Sequence, residues 1–255
     1  VEKRVSKVAY WMIVYLGTFL SMIRSRKVIA VSNFVMHTTG KMFPQRFADK
    51  FLVIKHGVSD IYSPPQVLQA RGNFILAVSD IYVQKNINSL LLAIDEIRKK
   101  HPNVLLKIAG RKLDLGYFNG LQRIITNRGM QNNVSFLGSV TQSELSNLYR
   151  NCKFFVFPSL VESFGNPLVE AMASGAPIAT SNMGAMPEVV GSAAILFDPA
   201  SITDMANALE RLYEDEELRH NLGVKSLHRA QLFSWSKTAT ATLEVIKNVA
   251  GEGRE

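Results

Sequence analysis

The stretch Phe154-Phe155-Val156-Phe157-Pro158-Ser159-Leu160-Val161-Glu162-Ser163-Phe164-Gly165-Asn166-Pro167-Leu168-Val169-Glu170-Ala171-Met172-Ala173-Ser174-Gly175-Ala176-Pro177 decides the reading of the fold. Phe154–Phe157 is an apolar run with no polar alternation, as expected for a strand buried on both faces. After the loop, Pro167–Ser174 reads as a helix, with Asn166 as its N-cap and Pro167 at the first helical position. Gly175 supplies the left-handed residue that ends the helix. Pro177–Thr180 is the next strand. Buried strand, loop, helix and second strand make a parallel βαβ unit.

The same rhythm extends outward. Upstream, strands Phe74–Val78, Val104–Ala109 and Val134–Leu137 alternate with helices Asn88–Lys100 and Gly116–Arg128. A further helix opens with the capping box Thr141-x-x-Glu144. Downstream, strand Ala194–Phe197 precedes helices Ser201–Tyr213, Glu216–Gln231 and Ser234–Ala250. Lys27–Val31 and Phe51–Ile54 read as earlier strands, and the breaker Pro64-Pro65 as a linker. The expected fold class is α/β: a Rossmann-like parallel sheet over 64–232 with helices on both faces, preceded by part of another domain over 1–63 and followed by a terminal helix over 233–255. Such sheets bind ligands beyond the carboxyl ends of their strands. The loops after Val78, Ala109, Leu137, Phe157 and Thr180 are therefore where chemistry is expected.

Composition narrows the classes. Of 255 residues, 47% are apolar and 20% charged, enough for a core. Cys152 is the only cysteine, which excludes a disulfide framework and a thiolate metal cluster and fits a reducing, cytoplasmic compartment. The five histidines have no ligand spacing, so no metal is expected. A net charge of +8 suits a phosphate-bearing ligand or an anionic membrane surface. No aromatic-and-basic motif points to nucleic acid, and none is expected as a partner. Residues 8–23 are almost wholly apolar between basic flanks (Lys3, Arg4 and Lys7; Arg24, Arg26 and Lys27). Sixteen residues fall short of the ~20 that span a bilayer. Two readings stay open: a core helix, or a helix in peripheral contact with the cytoplasmic face of a membrane.

The amides of Gly165, Asn166 and Leu168, around a helix N-terminus that includes Pro167, are expected to form a seat for a phosphate. Gly165 lets backbone approach a ligand. Glu162 sits in the loop, and Glu170 one turn into the helix.

The string Glu-x-Phe-Gly-x-Pro-x-x-Glu-Ala-x-Ala-x-Gly-x-Pro from Glu162 to Pro177 resembles the donor-site signature of the glycosyltransferase group 1 family (family 4, GT-B fold). Ser159, Lys85-Asn86, Phe136-Leu137-Gly138, Met186–Val190, Phe197-Asp198-Pro199 and Phe233-Ser234-Trp235 extend the resemblance over about residues 27 to 240. It implies a metal-independent, cofactor-free, retaining hexosyltransferase using a nucleotide-diphosphate sugar, GDP-mannose first and a UDP-hexose next. The acceptor implied is a glycan or lipid-linked sugar of polysaccharide or lipopolysaccharide biosynthesis. The resemblance further implies that Glu162 and Lys85 are the catalytic pair, Glu162 on the sugar hydroxyls and Lys85 on the diphosphate. It implies that Glu170 holds the ribose and that Ser79 and Phe164 to Leu168 complete the donor pocket. His56 lies near the cleft by similarity. Arg111 is either a second cation for the diphosphate or an exposed arginine beside Lys112.

Two departures qualify this. Much of the family ends the strand before the lysine in Gly-Arg, whereas this chain has Val78-Ser79-Asp80, and Asp80 must point away or accept a hydrogen bond. The family also has a full acceptor domain, of which 1–63 reads as the closing portion. The chain is expected to be a fragment that binds donor and turns over little acceptor, its last helix crossing back toward that domain. The alternative function is a non-catalytic nucleotide-sugar-binding module. An epimerase of similar architecture is weaker, because the loop signature points to transfer.

Overall fold

The computed structural model describes the backbone of residues 2–65 and 71–251 and the side chains of these from residue 9 onward. The chain divides into two compact units, His56–Lys237 and a smaller unit combining Val1–Lys55 with Thr238–Glu255. The boundaries expected at Pro64 and after residue 232 thus fall inside the larger unit. Hydrogen bonds explain the first: Ser146 Oγ donates to the Ile61 carbonyl at 2.7 Å and Arg150 Nε to the Ser63 carbonyl at 2.7 Å. A backbone bridge between Val58 and Ser234 explains the second.

In the smaller unit, α1 (Glu2–Arg24), α2 (Asn33–Met42) and a short 3-10 helix (Gln45–Lys50) flank two parallel strands, β1 (Val28–Ala30) and β2 (Phe51–Val53). Met22, Ala30, Phe43, Phe47 and Phe51 form its core. Lys50 Nζ closes the end of α1 by donating to the carbonyls of Met22 and Ser25 at 2.8 and 2.7 Å. Helix α2, begun by the Ser32 side chain accepting from the Val35 amide, is an element the sequence reading lacks. Much of α1 is not core helix: Trp11 is 64% and Ile13 71% exposed, and Tyr10, Met12, Leu16 and Leu20 are exposed beside them. Its basic N-terminal flank lies outside the residues whose side chains are described. Among the described residues, no helix is long and apolar enough to cross a membrane.

The larger unit holds β3 (Ile75–Val78), α3 (Ile87–Arg98), β4 (Leu106–Ala109), α4 (Leu115–Asn127), β5 (Val134–Gly138), α5 (Gln142–Asn151) and β6 (Phe154–Phe157). They are followed by α6 (Asn166–Ala173), β7 (Ile178–Ser181), α7 (Met186–Val190), β8 (Ala194–Phe197), α8 (Ile202–Glu214), α9 (Glu216–Ala230) and the start of α10 (Trp235–Gly251). The six strands are parallel, in the order β5-β4-β3-β6-β7-β8. Every residue of β6 and β7 is buried, as continuous apolar strands under helices on both sides require. Helix α3 packs on α4 and α8, and α6 on α5, α7 and α9. The capping box at α5 forms with both of its hydrogen bonds.

The strand order reverses between β3 and β6. From β3 the chain winds outward to β4 and β5; from β6 it winds the other way to β7 and β8. The loops leaving β3 and β6 both emerge at that point of the carboxyl edge, the usual ligand position in open parallel sheets.

Candidate active site

Both loops at the switch point deliver a charged side chain to the same spot. After β3 the chain turns through a 3-10 helix, Val83–Lys85, and after β6 it runs through Pro158 to Gly165. Lys85 Nζ donates to Glu162 Oε1 at 2.5 Å, with the two side chains 14% and 17% exposed. The ammonium also lies 5.4 Å from the centroid of the Tyr82 ring and 5.7 Å from that of Phe157. On Phe157, a Cβ added to Gly165 would lie 3.5 Å from Cε1. One buried ring therefore underlies both Lys85 and the turn into α6.

The two loops are tied by Asn86. It is the only described non-glycine residue with positive φ, at 55°, a conformation asparagine tolerates better than most. Its Nδ2 donates to the Pro158 carbonyl at 3.2 Å and to the Pro199 carbonyl at 2.9 Å. A third tie runs from the Leu160 amide to the Gln84 carbonyl at 2.9 Å. Lys85 is thus held between residues fixed to the β6 and β8 loops. The loop after β7 supports Glu162 from behind: the Ala185 amide donates to its carbonyl at 3.1 Å. A Cβ on Gly184, whose φ is 63°, would meet the Glu162 nitrogen and oxygen at 2.9 Å.

Helix α6 begins one residue earlier than expected. Gly165, left-handed at φ 94°, is the N-cap, and Asn166 is the first helical residue instead of the cap. The Asn166 side chain is engaged elsewhere, its Oδ1 3.0 Å from His56 Nδ1. Among the described residues no protein acceptor takes the amides of Phe164, Gly165 or Asn166, and Pro167 has none. Donors at a helix start with a positive dipole end make an anion seat. Leu168 does not contribute its amide freely, since it donates to the Gly165 carbonyl at 2.9 Å.

Glu170 is half-buried, and burial pushes its carboxyl above the usual range. The buried Tyr149 hydroxyl donates to its Oε2 at 3.1 Å. Tyr62 packs edge-on against Tyr149, and burial, with the Glu170 charge second, pushes its phenol up to about 12. Neither tyrosine was picked out by the sequence, because nothing local links them to Glu170.

Asp80 accepts from the Arg111 amide at 3.0 Å and from its Nε and Nη2 at 3.1 and 2.6 Å. The Arg111 hydrogen bonds hold the Asp80 carboxyl below its ordinary range. Asp80 thus accepts hydrogen bonds, as its chemistry demands, and Arg111 is both paired and exposed at the rim. Gly110 permits this: a Cβ there would lie 1.9 Å from the Ser79 carbonyl oxygen. The Ser79 and Ser159 Oγ atoms are buried without a hydrogen-bond partner among the described residues. At the opposite edge of the sheet, His101, Glu210 and Glu214 bring possible metal-ligand atoms within 4.8 Å of one another. There Lys100 already pairs with Glu210 and His101 with Glu214, each at 3.0 Å.

Comparison with known proteins names this arrangement. Residues 59–228 match the family described as Glycosyl transferases group 1, the span that holds both loops and α6. The chain belongs to this family. It is 32% identical over 202 residues to the serotype-specific mannosyltransferase WbdA of Escherichia coli, covering 77% of this chain and 24% of WbdA. It is 28% identical over 237 residues to the Escherichia coli O-antigen chain mannosyltransferase B, covering 88% of this chain and 61% of that protein. The chain therefore spans about a quarter of WbdA and about three fifths of mannosyltransferase B. Anabaena HepE, solved with UDP and glucose, superposes with a TM-score of 0.82 at 22% identity over 91% of this chain and 66% of its own. The fold shared by this group 1 chain and HepE is the GT-B arrangement.

Proposed function

We propose that the chain is the donor-binding part of a retaining hexosyltransferase that takes its sugar, mannose first, from a nucleoside diphosphate. The observation that carries this is the meeting of Lys85 with Glu162 at the sheet's switch point, beside the open amides that begin α6. Transfer breaks the bond from the anomeric carbon to the diphosphate and forms one to an acceptor hydroxyl, leaving negative charge on the nucleoside diphosphate. Lys85 and the dipole end of α6 stabilise that charge as it develops. Glu162 accepts hydrogen bonds from the sugar hydroxyls and Glu170 holds the ribose; the Ser79 hydroxyl, its oxygen buried, reaches the phosphates only if the loop after β3 moves. Arg111, committed to Asp80, reaches the donor only by leaving that pair.

Mannose and an O-antigen-type glycan acceptor are supported by the two Escherichia coli mannosyltransferases, and a UDP-hexose by HepE, solved with UDP and glucose. The test is transfer by the full-length protein from GDP-mannose and UDP-glucose, with the anomeric configuration of donor and product compared by NMR. An α-linked product from an α-configured donor supports the reading; an inverted product or free hexose alone overturns it. Transfer is read as metal-independent, so a chelator leaves turnover unchanged; loss of turnover restored by a divalent cation overturns that point.

The exposed apolar side chains of α1, with Arg24, Arg26 and Lys27 following, support peripheral contact of residues 8–23 with an anionic membrane, at the cytoplasmic face. Co-sedimentation with phosphatidylglycerol vesicles, abolished by Trp11→Ser with Ile13→Ser, is the expected result. Equal sedimentation of the altered chain overturns it.

A further inference from the structure

We infer that His56 is a positioning residue for the donor diphosphate, acting through Asn166 on the turn that begins α6. The inference rests on the reading of that turn as the diphosphate seat.

The turn needs an external anchor. Gly165 is left-handed and has no side chain with which to cap the helix, and α6 has no side-chain cap hydrogen bond. Of all residues glycine constrains its own φ least, so the amides of Phe164, Gly165 and Asn166 are aimed by what holds the residues on either side. On one side the anchor is Phe164, whose buried ring packs edge-on against Phe233 at 5.8 Å. On the other side it is Asn166, and its partner is His56 at 3.0 Å. An amide oxygen only accepts, so His56 Nδ1 carries the proton and donates.

His56 is itself held rigidly. Its ring stacks on Trp235 at 5.7 Å and 28°, and leans on Phe164 at 5.0 Å and 52°. The next residue, Gly57, lies so close to the backbone of Trp235 that an added Cβ would sit 2.1 Å from its nitrogen. Val58 then bridges to Ser234. The segments that enter and leave the larger unit therefore cross beneath His56, and the imidazole carries their rigidity to Asn166. An asparagine that would otherwise cap its own helix is drawn to a partner 110 residues away. That spends the local cap and fixes the amides for a ligand.

The experiment measures binding of GDP and UDP by titration calorimetry on the chain, together with its melting temperature. His56→Phe keeps the ring against Trp235 and Phe164 but has no donor. His56→Asn restores a donor near Nδ1 without the ring. His56→Phe and Asn166→Ala are each expected to weaken binding of the preferred nucleotide about tenfold while melting stays close to that of the unaltered chain. The double variant is expected to be no weaker than either single, and His56→Asn, which has the donor but not the stacked ring, to recover part of the loss. Because Asn166 is exposed, Asn166→Ala keeps the test sound even if a His56 variant fails to fold. Binding unchanged in Asn166→Ala, additive losses in the double variant, or no recovery in His56→Asn overturns the inference while leaving the proposed function intact. No binding of either nucleotide by the unaltered chain overturns both.

Discussion

Lys85 Nζ and Glu162 Oε1, carried by loops from strands on either side of the sheet's switch point, form a 2.5 Å ion pair. The pair is mostly shielded from water, so neither charge is readily given up to solvent. A diphosphate arriving at Lys85 competes with Glu162 for the ammonium, and a sugar arriving at Glu162 competes with Lys85 for the carboxylate. Glu162→Gln is expected to release Lys85, raising affinity for the nucleoside diphosphate several-fold and lowering transfer by ~10- to 100-fold. Lys85→Ala is expected to lower transfer by ~100- to 1,000-fold. Calorimetry and steady-state rates on the full-length protein check both. Tighter binding without slower transfer in Glu162→Gln contradicts the shared-pair account.

Asn86 does two jobs with separable energies. Asn86→Gly keeps the left-handed backbone and removes only the donors to the Pro158 and Pro199 carbonyls. Buried acceptors left unpaired cost about 1–3 kcal/mol each, so melting falls by several degrees. Asn86→Ala adds about 1–2 kcal/mol of backbone strain. Thermal melts that rank the alanine variant above the glycine one contradict this assignment.

The parallel sheet was legible because its strands are continuous apolar runs, and runs such as Phe154–Phe157 admit no other burial. Glu162 and Gly165 stand out in one motif and Lys85 in a separate segment matched by resemblance; what the sequence does not show is that Lys85 and Glu162 meet. The Asn166 cap was not, because a local rule competes there with a histidine 110 residues away. The role of Asn86 was hidden for the same reason, with its acceptors 72 and 113 residues off. Helix α2 escaped notice because Thr38, Thr39 and Gly40 weaken its helical signal. Composition could not separate a core helix from an exposed apolar one in α1, since both require the same residues.

Glu170 illustrates function set against stability. Burial raises its carboxyl pKa, so the folded chain holds that proton more tightly than the unfolded chain does. Ionising it costs stability, and that cost is absent at acid pH and appears as pH rises past the ordinary value of 4.5. Glu170→Gln keeps an acceptor for the Tyr149 hydroxyl and removes the charge. It is expected to melt higher than the unaltered chain at pH 7, with the gap closing toward pH 4.5, and to bind nucleotide more weakly. A gap that widens at acid pH contradicts the cause assigned here.

Gly184 has no reach of its own to the proposed donor, yet it bounds the position of Glu162. Gly184→Ala puts a methyl group 2.9 Å from the Glu162 backbone in a left-handed conformation. The expected outcome is transfer reduced about tenfold or more, through the displaced carboxylate, with the nucleotide still bound. Transfer equal to that of the unaltered protein removes Gly184 from the account.

The central claim is that this chain holds a nucleoside diphosphate between Lys85 and the start of α6. Titration calorimetry of GDP and UDP into the chain and its Lys85→Ala variant, at two salt concentrations, tests it most directly. The account predicts saturable one-to-one binding of one nucleotide, weakened at least tenfold by Lys85→Ala. Binding of equal strength in the two proteins, or no saturable binding of either nucleotide, contradicts it.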